Sequence, residues 1–144
     1  MTHDTEIIGV FEASPSSRQS AAFFTATPPS GFTERVSLFC GFRRRVEVHG
    51  SSMAPTLTEG DVLLWNPKAY RVKKPAIGDV LLIKHPYELG RHMVKRLTQI
   101  TEAGEETRYH LEGDNRIQST DSRTFGTLLA NSILGQITSR YSER

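Results

Sequence analysis

The chain has 144 residues, 37% of them apolar and 24% charged, with a net charge of +2. That length suits one domain plus a tail, and so small a positive charge does not mark a nucleic-acid binder. Cys40 is the single cysteine, which excludes an internal disulfide and makes a cysteine-based metal site or a cysteine nucleophile a poor reading.

In chain order, residues 1–42 read as a flexible or weakly structured N-terminal segment ahead of a domain at 43–144. Ser14-Pro15-Ser16-Ser17 and Thr27-Pro28-Pro29-Ser30-Gly31 are rich in breakers, and neither helical nor strand periodicity is sustained. A tail and a substrate-covering arm both fit. Asp4 and Glu6 stand where a secretory signal carries basic residues, and no long apolar stretch follows. The longest apolar run, from Val36 to Phe42, falls well short of the ~18 residues a spanning helix needs. The expectation is a cytoplasmic protein with no integral membrane segment. A weak peripheral contact through that run and Arg43-Arg44-Arg45 stays open beside a merely solvated strand entry.

From Arg43 onward the pattern changes. Val46 and Val48 alternate with Glu47 and His49, a strand signature. Val62–Trp65 follows the Glu59-Gly60-Asp61 turn and predicts a second strand; Val80–Ile83 follows Gly78-Asp79 and predicts a third. His92–Ile100 predicts a fourth, Arg108–Leu111 a short fifth, and Ile133–Tyr141 a last. Short strands at close spacing, with Gly/Asp turns and no amphipathic helix, predict an all-β protein, a small folded sheet or barrel.

Three pieces of this pattern carry chemistry. Gly50-Ser51-Ser52-Met53-Ala54-Pro55-Thr56-Leu57 closes the first strand. Its small residues admit a substrate backbone, and a serine on such a turn can present its hydroxyl to a carbonyl. Alone, a serine-rich turn is only a turn. On the fourth strand Lys95 shares a face with Met93 and Leu97, opposite His92, Val94 and Arg96. Buried there, its ammonium loses solvation and its pKa falls, so a neutral amine could deprotonate a serine; the alternative is a lysine that snorkels to the rim. Arginine could not do this work, which makes Arg96 the bland neighbour. The third piece, Gly113 to Gly126, is dense in hydrogen-bonding groups and is either a polar surface loop or a bracket for buried partners.

Together these pieces resemble the catalytic boxes of the signal peptidase I family. Ser52-Met53-x-Pro55-Thr56-Leu57 is similar to its nucleophile box, Gly60-Asp61 to the next, Lys95-Arg96 to the general-base box, and Gly113-Asp114-Asn115…Ser119-x-Asp121-Ser122-Arg123-x-x-Gly126 to the last. The resemblance covers roughly residues 45–141 and implies a signal-peptidase-type fold with a Ser/Lys dyad. It implies that Ser52 attacks the scissile carbonyl, that Lys95 takes the proton, that Ser119 orients the lysine, and that Asp121 and Arg123 form a bracing ion pair. The oxyanion would rest on the Ser52 backbone N–H and one further donor. Some members use a serine side chain two residues before the nucleophile; here that position is Gly50, so a backbone group or Ser51 has to substitute.

The absence of an anchor, the short connection from Lys95 to Gly113 and the His85-Pro86-Tyr87 stretch resemble one small branch, the nickel-type superoxide dismutase maturation proteases. That likeness implies a precursor protein as substrate, the nickel superoxide dismutase precursor, trimmed of a short leader. The metal would belong to the substrate, and no cofactor or metal is expected in this chain: its histidines show no tight ligand spacing, and no histidine–aspartate pair suggests a triad. Three other readings stand beside this one. A peripheral signal peptidase I would cleave exported preproteins. A self-cleaving regulatory Ser/Lys module would need a helix-turn-helix that residues 1–40 do not suggest. A non-enzymatic binding barrel would leave the catalytic residue types unused.

Overall fold

The computed structural model describes residues 6–11, 20–22 and 43–142. All six strands expected from the sequence are present: β3 (Arg44–His49), β4 (Val62–Asn66), β5 (Val80–Lys84), β6 (His92–Ala103), β7 (Glu106–Glu112) and β9 (Ile133–Ser142). The structure adds β1 (Glu6–Phe11), β2 (Ser20–Ala22), the two-residue β8 (Leu128–Leu129), a single helical turn α1 (Ser122–Phe125) and a 3-10 turn at Ala130–Ser132. The protein is all-β, as expected. No sustained periodicity announced β1 or β2. The breaker-rich stretches, Cys40 and the Val36–Phe42 run lie outside the described residues.

The strands pair antiparallel in the order β1-β3-β4-β9-β5-β6-β7-β8, and β1 also pairs with β6. That last pairing closes β1, β3, β4, β9, β5 and β6 into a ring, while β7 and β8 extend it as a flap. β5 reads Val-Leu-Leu-Ile because both of its faces are covered. Val80 and Leu82 join one apolar cluster with Val46, Val48, Met53, Leu63, Trp65, Val94 and Ile137. Leu81 and Ile83 join another with Met93, Leu97, Tyr109 and Leu111.

Two registers position the site. Lys95 lies opposite Leu81 on β5. On its other side β6 meets β7 with Arg96 opposite Glu112, so the chain leaving β7 at Gly113 arrives beside Lys95. The same hairpin turns tightly at Gly104-Glu105, between the paired Ala103 and Glu106.

Candidate active site

β3 ends at His49, and Gly50, with φ of 87°, swings the chain into the turn that holds Ser52. Only a residue without a Cβ takes that backbone conformation readily. The turn is anchored on both sides of the serine. Met53 and Leu57 are fully buried in the core cluster that contains β3 and β4, and the Leu57 N–H donates to the Met53 carbonyl at 2.9 Å. The Ala54–Pro55 peptide is cis. Ser52 is itself fully buried.

Lys95 is also fully buried, on the side of β6 that carries Met93 and Leu97. Its Nζ lies 2.9 Å from Ser52 Oγ and 3.0 Å from Ser119 Oγ. It does not snorkel. Ser119 Oγ donates in turn to Asp121 Oδ2 at 2.6 Å. A hydroxyl has one proton to give, so with that proton on Asp121 the Ser119 oxygen accepts from Lys95. A neutral amine that donates an N–H to Ser119 keeps its single lone pair for the Ser52 hydroxyl.

Asp121 is the bracket of the loop. Its carboxylate accepts from Ser119, from the Gly113 N–H at 2.9 Å, from the Arg123 N–H at 3.2 Å, and from Arg123 Nε and a guanidinium NH2 at 2.8 and 2.6 Å. Burial by itself would raise the pKa of this carboxyl. The hydrogen bonds from Arg123, Ser119 and the two backbone N–H groups outweigh it and hold Asp121 well below the usual carboxylate range. The Asp121–Arg123 ion pair expected from the sequence is present.

The loop also grips the serine turn. The Asn115 N–H donates to the Ser52 carbonyl at 2.9 Å. Ser51 Oγ donates to Gln118 Oε1, which also accepts from Asn115 Nδ2 at 3.4 Å. A Cβ on Gly113 would collide with Ser119 Oγ and the Ser52 carbonyl, so the loop comes this close only with glycine there. On the opposite face of β6 Arg96 makes a bidentate pair with Asp114 at 2.8 and 2.7 Å. Asp114 also takes a hydrogen bond from the Thr56 side chain; burial would raise its pKa, but Arg96 and Thr56 lower it on balance.

The structure therefore gathers Gly50, Ser51, Ser52, Lys95, Ser119, Asp121 and Arg123 around one point. It corrects one detail of the sequence reading. Arg96 is not a bland neighbour, because it ties the Asp114 end of the loop to β6. Ser51, a candidate second oxyanion donor, has its hydroxyl proton on Gln118. Sequence reasoning missed Gln118 and the Asn115 backbone contact. The one available signal was their place inside the Gly113–Gly126 motif.

Among the described residues no group of His, Cys, Asp or Glu is placed to hold a metal ion. Among the same residues no helix is long and apolar enough to cross a membrane. A separate concavity of about 320 Å³, lined by Tyr70, Arg71, Lys73, Lys74, Tyr109 and Leu134 among others, shares no residue with this cluster.

The family profile described as signal peptidase, peptidase S26, matches residues 32–101 and 98–142. A mitochondrial ATP-independent inner membrane protease subunit 1a from Arabidopsis thaliana is 32% identical over 108 residues, which cover 62% of this chain. The matched region spans 64% of that relative's length.

Proposed function

The chain belongs to the signal peptidase family, peptidase S26, and from that premise we propose that it is a serine endopeptidase using a Ser52/Lys95 dyad to remove a short N-terminal leader from a precursor protein. The observation that carries this reading is the buried chain Ser52–Lys95–Ser119–Asp121, with contacts of 2.9, 3.0 and 2.6 Å. Removal from water disfavours the ammonium form of Lys95. The neutral amine takes the Ser52 Oγ proton as the oxygen attacks the scissile carbonyl carbon. The oxyanion rests on the Ser52 backbone N–H. The intermediate collapses to an ester on Ser52, and the leaving amine collects the proton from Lys95. Water, deprotonated by the same lysine, then hydrolyses the ester and frees the serine.

The substrate we favour is the nickel superoxide dismutase precursor, and the compartment the cytoplasm. The tight hairpin at Gly104-Glu105, which leaves little between Lys95 and Gly113, and the His85-Pro86-Tyr87 stretch support that branch. The inner membrane protease subunit among the relatives favours a second reading, cleavage of exported preproteins at a membrane surface. Incubation with each class of precursor, read by mass spectrometry of the new N-terminus, separates the two. Cleavage of the dismutase precursor that stops in Ser52→Ala supports the first reading. Cleavage of exported preproteins alone, together with flotation on lipid vesicles, supports the second.

A further inference from the structure

β1 lies between the two strands that deliver the proposed dyad. Glu6 is paired on one side with His49, three residues before Ser52, and on the other with Met93, two residues before Lys95. Ile7 is likewise paired with Val48 and with His92. Because β1 is antiparallel to both neighbours, β3 and β6 run parallel to each other with a gap one strand wide. Glu6 and Ile7 fill that gap with partners on both sides, while Val10 and Phe11 pair with β3 alone; the Glu6 end of β1 is the end nearer the dyad. A register shift between Ile7 and Val10 puts one extra residue into β1 relative to β3, a bulge that interrupts the ladder.

A peptide that is to be cut at Ser52 must reach the serine in extended form. A gap flanked by two backbone edges is where such a peptide would gain main-chain hydrogen bonds. We infer that β1 is an internal strap: its Glu6-Ile7 end occupies the strand position that an extended substrate backbone needs, and substrate enters by displacing it. The inference rests on the proposed dyad for its consequence in cleavage, but not for the occupancy itself. Competition of this kind weakens apparent affinity by the fraction of time the gap is open.

The test uses a fluorescein-labelled peptide spanning residues 4–13, followed by anisotropy, since binding needs no catalysis. It compares the full chain, the chain lacking residues 1–11, and Ile7→Pro/Val10→Pro, which keeps the segment but removes two backbone N–H groups from β1. The variants should bind the peptide about 10-fold more tightly than the full chain, or better. Equal affinity among folded proteins overturns the strap. In a Cys40→Ser background, Glu6→Cys/His49→Cys should be unable to cleave precursor when oxidised and should recover with dithiothreitol. An oxidised form as active as the reduced one also overturns it. Inactivity in both redox states counts against the dyad, and the peptide-binding comparison then decides the strap alone.

Discussion

Ser119 has one hydroxyl proton and gives it to Asp121, which leaves its oxygen for Lys95. Proton transfer by a positioned base contributes about 10²–10⁴-fold, and Ser119 transfers none. Ser119→Ala should therefore lower kcat on the order of 10-fold, less than loss of the base, with KM little changed. Ser52→Ala should abolish cleavage with the melting temperature preserved, and Lys95→Arg should be equally inactive because guanidinium keeps its proton near neutrality. Ser51→Ala should cost far less. A dead Ser51→Ala beside an active Ser52→Ala would move the nucleophile by one residue. At this scale the residue types alone left the site open, since a serine-rich turn is only a turn and a strand lysine can snorkel; the dyad was legible through the resemblance of the four boxes to those of the signal peptidase I family. Gln118 and Asn115 were not, since an exposed polar loop has no period from which a partner can be inferred. Which of Ser51's possible acceptors takes its proton depends on how the loop folds back over the turn, and that is a tertiary fact.

At the scale of elements, the strands β3 to β7 and β9 were readable because period-two alternation and Gly/Asp turns follow directly from the pleat. β5, apolar without alternation, was readable as a strand from its length and its flanking turn. β1, β2 and β8 were not, as their order comes from backbone pairing with partners distant in sequence. The Gly113–Gly126 loop shows the same limit: its composition announced hydrogen bonding, but not that Asp121 would collect donors from three residues. Asp121→Asn removes the charge that Arg123 pairs with and keeps the shape. It should cost roughly 1–3 kcal/mol and reduce kcat through Ser119. Gly113→Ala pushes a methyl against Ser119 and the Ser52 carbonyl. It should destabilise by about 1–3 kcal/mol and lose activity beyond what thermal melting explains. Activity that survives Gly113→Ala intact would show that the loop retreats from Ser52 at no cost.

For the whole molecule, catalysis and stability draw on different titrations, and the two can be separated by pH. Asp121 has its carboxyl depressed below the ordinary value of 3.8. A group lowered by folding adds stability at pH above its unfolded value and loses it as pH falls toward its folded one. Asp114 is shifted the same way. The fold should therefore be insensitive to these groups near neutrality and should weaken only below about pH 4, where both carboxyls begin to take protons in the unfolded chain. The dyad works in the other direction. Lys95 must lose a proton to act, so kcat/KM should rise with pH at unit slope and then level off. A pH profile of cleavage set beside melting temperatures across the same range checks this. The expected result is an activity limb that falls while the melting temperature is still flat. Lys95→His, if it keeps trace activity, should carry that limb to lower pH, since imidazole loses its proton earlier than an amine. Activity and melting temperature that fall together would mean that acid inactivation is unfolding, and the limb would then say nothing about the lysine.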